Sequence, residues 1–284
     1  MIHCFGDSWV QGIGTEWKPG EGRIPMSDRY DENKDWTPTY EKYSWPGQLK
    51  ELLGNVELKN YGSAGFSNQD IYKDIMENIW SGNVKKGDFV IVSLSSIIRQ
   101  PLPFFYTRDD VEGFINYSNS CFIHQVNGIQ NETMHWIDSI QNEKLKETSN
   151  KAYEDYIKKR FSYNYLYETA MNYICNLQVY FEELEIDYVF LNAFENNLSK
   201  DVMFYKDIKL DRWILPNYTL QEYLLDESED FDTSIGHSVW EDDMIEVERN
   251  QDGPHPNRIG YRMIAECIYE QIKDKKVIQN GSTI

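Results

Sequence analysis

Short apolar runs alternate with longer amphipathic segments along this chain. The strand candidates cover residues 2–5, 56–61, 88–94 and 188–192, and small or polar residues follow each of them. The segment 88–94 is the strongest of them, because its continuous apolar run is typical of a parallel strand that is buried on both faces. The pattern therefore predicts four strands, and the shorter run at residues 213–215 is predicted as a fifth.

Helical periodicity fills the segments between these runs. Helices are predicted over residues 45–53, 152–184 and 258–273, and a further helix begins after Ser67, which forms a capping box with Asp70. Strands that alternate with helices indicate an α/β fold whose parallel sheet is covered on both sides. We expect one domain over residues 1–284, with a long loop at 15–44 and an insertion or cap at 101–150.

Three residues follow directly after predicted strands: Ser8, Gly65 and Ser95. Right-handed crossovers place the carboxyl ends of parallel strands along one edge of the sheet, where open α/β sheets bind their ligands. The order of the sequence alone therefore predicts that these residues share one rim.

Charge and cysteine usage limit the partners. The formal net charge is -19 at pH 7, and so acidic a surface disfavours nucleic acids and anionic membranes. The four cysteines form no CxxC pair, and the chain begins directly with an apolar run instead of a signal peptide. We therefore expect a cytoplasmic protein, with a phage particle as another location. The five histidines have no metal-ligand spacing, so no metal and no cofactor are expected.

The candidate chemistry lies at the two ends of the chain. Ser8 stands on a turn after the first strand, where a hydroxyl is exposed and needs a base to become a nucleophile. In Asp252-Gly-Pro-His255-Pro, the prolines exclude a helix, so the Asp252 carboxylate lies close enough to orient the His255 imidazole. The N–H groups of Gly65 and Ser8 are candidate oxyanion donors.

These motifs resemble the SGNH, or GDSL-type, hydrolase family. Gly6-Asp7-Ser8 matches its first block, residues 60–65 (Asn-Tyr-Gly-Ser-Ala-Gly) its second, and Asp252-x-x-His255 its last. The resemblance implies a flavodoxin-like three-layer α/β/α sandwich with five parallel strands. It also implies ester hydrolysis through a Ser8–His255–Asp252 triad, without metal.

The third block of that family departs from its pattern here. The family has Gly-x-Asn-Asp after its third strand, and the Asn side chain donates to the oxyanion. In this chain Ser95 stands in the place of that Asn. A hydroxyl of Ser95 or Ser96 is expected to replace the donor in part, and Arg99 is a candidate substrate-binding residue because it offers charged donors.

We expect the substrate to be a small-molecule or carbohydrate ester, and an O-acetylated carbohydrate in particular. The reason is the number of rings, including Trp9, Trp17, Trp36, Trp45 and the aromatic residues of 103–106, that can stack on sugars. Two other functions stay open. One is a catalytically weakened module of the same fold that binds glycans or forms part of a larger particle. The other is a nucleotide or phosphate binder. The absence of the phosphate-binding motifs GxGxxG and GxxxxGK[ST] from the sequence argues against it.

Overall fold

The computed structural model describes eight stretches of the chain, and between residues 100 and 122 it gives only strand backbone. The stretches are residues 1–16, 35–97, 99–100, 104–108, 111–115, 121–122, 162–229 and 255–274. In chain order, the strands are β1 (Ile2–Gly6), β2 (Leu58–Gly62), β3 (Phe89–Leu94), β4 (Arg99–Gln100), β5 (Phe104–Arg108), β6 (Val111–Ile115), β7 (Cys121–Phe122) and β8 (Asp187–Asn192). The α-helices are α1 (Ser8–Gln11), α2 (Thr37–Tyr43), α3 (Trp45–Leu52), α4 (Asn68–Trp80), α5 (Tyr163–Glu183), α6 (Leu220–Glu229) and α7 (Arg258–Ile272).

Four parallel strands form the central sheet, in the order β2-β1-β3-β8. Alternate residues of β3 enter two separate cores, because successive side chains of a strand point to opposite faces. Phe89 and Ile91 pack with α3, α6 and α7, whereas Val90 and Val92 pack with α4 and α5. The predicted three-layer α/β/α sandwich is therefore confirmed.

The prediction of a fifth parallel strand at residues 213–215 is wrong among the residues that the structure describes. In the described stretches, only two isolated bridges continue the sheet beyond β8, from Trp213 to Phe190 and from Thr219 to Asn192. Between them, Leu215 adopts a φ of 54° and Pro216 has no N–H to donate, so the segment leaves extended geometry after one pair.

The boundaries of the other predicted elements need two corrections. The predicted loop at 15–44 contains α2 at its end, and the predicted helix at 152–184 is described only from Tyr163 onward. Within the predicted insertion at 101–150, β5 and β6 form an antiparallel hairpin and β7 pairs with β4, away from the parallel sheet. Most of that segment lies outside the described residues, so the single domain with an insertion stays a prediction.

Candidate active site

Ser8 and His255 meet at the carboxyl edge of the sheet. The Ser8 Oγ lies 3.0 Å from the His255 Nε2, although 247 positions separate the two residues. Ser8 is the first residue of α1 and is 6% exposed, while His255 is half-buried two residues before the Asn257 cap of α7. In the tautomer whose Nε2 carries no proton, the serine hydroxyl donates to the imidazole, which is the arrangement that a nucleophile and its base require.

Two glycines allow α1 to lie against the ends of the strands. A Cβ on Gly6 would stand 2.3 Å from the Val10 Cγ2 of α1, and a Cβ on Gly62 would stand 2.1 Å from the Gln11 N. Asn60 then fixes this contact, since its amide donates to the Val10 carbonyl at 2.7 Å and its Oδ1 accepts from the Gly62 N–H at 2.8 Å. The position of Ser8 is thus set by backbone contact between α1 and β2.

The segment after α1 is hydrogen-bonded to the start of α7. His255 lies three residues before that helix, so these bonds help to place it. The Tyr261 hydroxyl donates to the Ile13 carbonyl at 2.8 Å, and the Arg258 Nε donates to the Thr15 carbonyl at 2.7 Å. Gln48 of α3 also donates to the Arg258 carbonyl at 3.0 Å. These bonds hold the two ends of the chain together beside the Ser8–His255 pair.

Gly65 lies on the turn after β2, at the same edge. Its φ of 80° falls in the left-handed region, which glycine adopts without the steric cost that a Cβ brings. The turn is tied to the Ser8 region at two points: Ser63 N–H donates to the Gly6 carbonyl at 3.1 Å, and Ala64 N–H donates to the Gln11 Oε1 at 2.8 Å. Gly65 therefore stands on a segment that α1 itself positions.

Ser95 also lies at this edge, directly after β3, but it is fully buried. Its N–H donates to the Asn68 Oδ1 at 2.8 Å, and its carbonyl accepts from the Asn197 Nδ2 at 2.9 Å. The Asn68 Nδ2 donates to the Asn197 Oδ1 at 2.6 Å, so the two amides form one network around the Ser95 backbone. The Ser95 hydroxyl finds no hydrogen-bond partner within the described part of the chain.

Arg99 follows on the same side and turns inward. It is 5% exposed, and its Nη1 lies 3.2 Å from the Asp7 Oδ2 and 3.1 Å from the Phe66 carbonyl oxygen. Its guanidinium carbon stands 5.2 Å from the centre of the Phe194 ring. Arg99, which the sequence indicated as a substrate-binding residue, thus contacts Asp7, Phe66 and Phe194 of the protein itself.

Sequence reasoning missed several polar residues of this edge. Asn68 and Asn197 are described above, and the third is Glu195, whose carboxylate accepts a hydrogen bond from Ser96, the alternative to Ser95 as an oxyanion donor. Burial, together with that carboxylate, raises the pKa of the nearby Tyr167. The available signal was the position of polar residues just after strands β3 and β8, which the topology brings to one rim.

The expectations for the triad acid and for the sugar-stacking rings have different outcomes. Asp252, the predicted acid of the triad, lies outside the described residues. Of the rings expected to stack on sugars, Trp9 and Trp45 are in the hydrophobic core at 1% and 0% exposure, so a substrate cannot reach them. Phe194, two residues after the end of β8, is instead a half-buried ring in edge contact with Trp9.

The described stretches contain no cluster of three metal-ligating side chains and no helix long and apolar enough to cross a bilayer. Away from the rim, the His3 Nε2 and the Asp88 Oδ2 lie 3.2 Å apart at the opposite edge of the sheet. Burial lowers the pKa of His3, although Asp88 acts in the other direction. That pair joins the start of β1 to the residue before β3, so its evident role is structural.

Comparison with known proteins gives a limited result. No protein-family model and no curated protein matches this chain. Among solved structures, similar chains include a member of the lipolytic G-D-S-L family from Veillonella parvula DSM 2008, with 14% identity, a TM-score of 0.41, and coverage of 96% of this chain and 98% of the other. A protein of the G-D-S-L family from Desulfitobacterium hafniense DCB-2 has 14% identity, a TM-score of 0.38, and coverage of 95% and 98%.

A third similar structure is LAE5, an alpha/beta hydrolase enzyme from the metagenome of Lake Arreo, Spain. It has 11% identity and a TM-score of 0.43, and the match covers 95% of this chain and 93% of the other. Because all three TM-scores lie below 0.5, these similarities establish neither the family nor the activity of this chain.

Proposed function

We propose that this protein is a serine hydrolase that cleaves esters, with Ser8 as nucleophile and His255 as its base. The observation that carries the proposal is the 3.0 Å separation between the Ser8 Oγ and the His255 Nε2. A serine and an imidazole at this distance, at the ligand-binding edge of a parallel sheet, meet the geometric requirement for nucleophilic catalysis. The resemblance of the Gly6-Asp7-Ser8 segment and of the Asp252–His255 segment to GDSL-type hydrolases supports the same reaction.

In the first half of the reaction, the Ser8 oxygen attacks the ester carbonyl while His255 takes the hydroxyl proton. The tetrahedral intermediate then collapses, the alcohol leaves with the proton from His255, and an acyl-enzyme remains. In the second half, water attacks the acyl group with the same imidazole as base, and the acid is released with the serine restored. Asp252 is proposed to hold the imidazole in its productive tautomer and to stabilise its charged form.

Stabilisation of the oxyanion is assigned to the backbone N–H groups of Ser8 and Gly65. The Ser95 hydroxyl, which is fully buried in the free protein, is assigned as a third donor that becomes accessible only when substrate binding opens the turn after β3. The left-handed backbone at Gly65 and the bonds between its turn and α1 support this assignment. Loss of one such donor typically lowers kcat by about 10²–10³-fold. Because Ser95 has a hydroxyl in place of an asparagine amide, we expect a slower enzyme than one in which the asparagine amide is the third oxyanion donor.

Ester turnover by purified variants tests the proposal. We expect Ser8→Ala to lower kcat by about 10⁴–10⁶-fold, and Asp252→Asn by about 10⁴-fold, because both remove members of one catalytic unit. Ser81→Ala, at the far end of α4, is the matched control and should hydrolyse the ester at the wild-type rate. Equal turnover by Ser8→Ala and wild type would rule out Ser8 as nucleophile. Absence of turnover in the wild type, with intact glycan binding, would favour the non-catalytic module.

For the substrate, we propose an O-acetylated carbohydrate. The half-buried Phe194 ring at the rim supports this choice, because an aromatic face of this kind can stack on a sugar. A panel of acetylated glycans and of p-nitrophenyl esters with increasing acyl length tests it. We expect acetyl esters to be preferred and Phe194→Ala to raise KM for the glycan more than for p-nitrophenyl acetate. A preference for long acyl chains would exclude a deacetylase.

A further inference from the structure

Arg99 connects the two segments that carry the proposed backbone oxyanion donors. Its Nη1 lies 3.2 Å from the carboxylate of Asp7, the residue before Ser8, and 3.1 Å from the carbonyl of Phe66, the residue after Gly65. One nitrogen thus contacts the neighbours of both donors.

Asp7 is itself part of the local structure that orients Ser8. Its Oδ1 accepts from the Trp9 N–H at 3.0 Å and so caps α1, while its Oδ2 faces Arg99. The carboxylate is fully buried, and a buried charge is costly unless an opposite charge and hydrogen bonds compensate it. Arg99 supplies both, and it thereby fixes the carboxylate that fixes the first turn of α1.

The same pair matters for the charge that the reaction creates. An unpaired carboxylate one residue from the nucleophile would oppose the negative charge of a tetrahedral intermediate, most strongly where water is excluded. The guanidinium cancels that field. Because its Nη1 contacts protein oxygens on both sides, Arg99 can act on the oxyanion through Asp7 and Phe66.

We infer that Arg99 is a positioning residue, which holds the Ser8 and Gly65 segments at a fixed separation and neutralises Asp7 beside the oxyanion. The inference rests on the proposed ester hydrolysis and differs from a direct substrate-binding role for the same residue. A donor displaced by about 1 Å can cost about 10²-fold in rate, so the effect belongs in kcat. Substrate binding in the ground state does not depend on the two donors and should change little.

The test compares Arg99→Lys and Arg99→Met with wild type in steady-state hydrolysis of one acetyl ester. Arg99→Met is expected to lower kcat by about 10²-fold at unchanged KM, and Arg99→Lys by a smaller factor, because an ammonium keeps the charge and can reach at least one of the two oxygens. Since Arg99→Met leaves the Asp7 carboxylate unpaired and can fail to fold, the Asp7→Asn/Arg99→Met double variant provides a neutral alternative. It should fold and remain slow, because the link to Phe66 is still missing.

Arg212→Met is the matched control. Arg212 pairs with Asp187 at 2.5 Å and lies 5.1 Å from the centre of the Tyr188 ring, at the opposite end of β8 from the rim. Its loss should lower the melting temperature and leave kcat unchanged. This control separates loss of an ion pair over an aromatic ring from loss of the link between the oxyanion segments.

The outcomes distinguish this inference from the proposed function. If the wild type hydrolyses no ester, that result contradicts the proposed function, whatever the role of Arg99. With an active wild type, unchanged kcat in Arg99→Lys and in the foldable methionine variant would overturn the positioning role and leave ester hydrolysis intact. A rise in KM at unchanged kcat would also overturn it, since that result indicates direct contact of Arg99 with the substrate.

Discussion

A single hydrogen bond at the rim of the sheet joins Ser8 to His255, residues from opposite ends of the chain. At the residue scale, both were recognisable from short motifs, because each needs a particular local backbone that glycine and proline mark in the sequence. The sequence indicated Arg99 as a candidate site residue, but it did not indicate which groups Arg99 contacts. Its partner Asp7 is 92 positions away, and no local pattern gives the direction in which a long side chain turns.

Ser95 gives a prediction that separates stability from rate. Its hydroxyl is buried without a hydrogen-bond partner among the described residues, so Ser95→Ala should leave the free energy of unfolding unchanged or raise it by about 1 kcal/mol. If the hydroxyl donates to the oxyanion during reaction, kcat should nevertheless fall by about 10²-fold. Chemical denaturation and steady-state kinetics measure the two effects.

Ser93→Ala is the control for this prediction. Ser93 is equally buried, also has no hydroxyl partner in the described stretches, and lies two residues earlier within β3. It should resemble Ser95→Ala in stability and wild type in kcat. Equal kcat for the two variants would remove Ser95 from the oxyanion hole.

At the scale of elements, the active-site geometry depends on the contact between α1 and β2. Strands β1, β3 and β8 and the caps of α4 and α7 follow from local patterns, because buried parallel strands and capping residues leave clear marks in a sequence. The short α1 and α2 escaped notice, since four and seven residues give too little periodicity. The fifth strand failed because Leu215 and Pro216 redirect a chain whose composition still favours extension.

Gly62→Ala tests the contact between α1 and β2. The new Cβ would stand 2.1 Å from the Gln11 N and 2.5 Å from the Val10 carbonyl carbon, so α1 must move away from the strand. We expect a fall in kcat of at least about 10²-fold, together with a lower melting temperature, because Ser8 moves with the helix.

Gly54→Ala provides the comparison at a site with open space around the added carbon. Gly54 has a φ of 76°, so alanine there costs about 1–2 kcal/mol of backbone strain without touching α1. That variant should lose stability and keep the wild-type kcat. A normal kcat in Gly62→Ala would show that the position of α1 tolerates movement and would contradict the assigned geometry.

At the scale of the whole molecule, stability should depend on pH through groups far from the rim. Burial, and to a smaller extent Glu77, raise the pKa of Asp74 in α4 from 3.8 to about 6. The folded state therefore binds a proton more tightly than the unfolded state between these two values. Stability from this group is present at low pH and is lost as pH rises towards about 6.

Asp74→Asn should therefore raise the melting temperature at pH 8 more than at pH 4. The amide keeps an oxygen to accept the Asn78 Nδ2 hydrogen bond, which measures 3.0 Å in the wild type. Because the chain carries a net charge of -19, removal of any carboxylate relieves some repulsion. Asp201→Asn, on an exposed turn, measures that general effect. An equal gain for both variants at both pH values would contradict the assignment to Asp74.

The most direct test of the central claim is covalent labelling of the folded protein with a fluorophosphonate, followed by mass measurement and peptide mapping. An activated serine reacts with this reagent, whereas an ordinary serine does not. We predict one adduct, on Ser8, that forms about 10³-fold more slowly in His255→Gln. A folded wild type without an adduct on Ser8, or with labelling that does not depend on His255, would contradict the account.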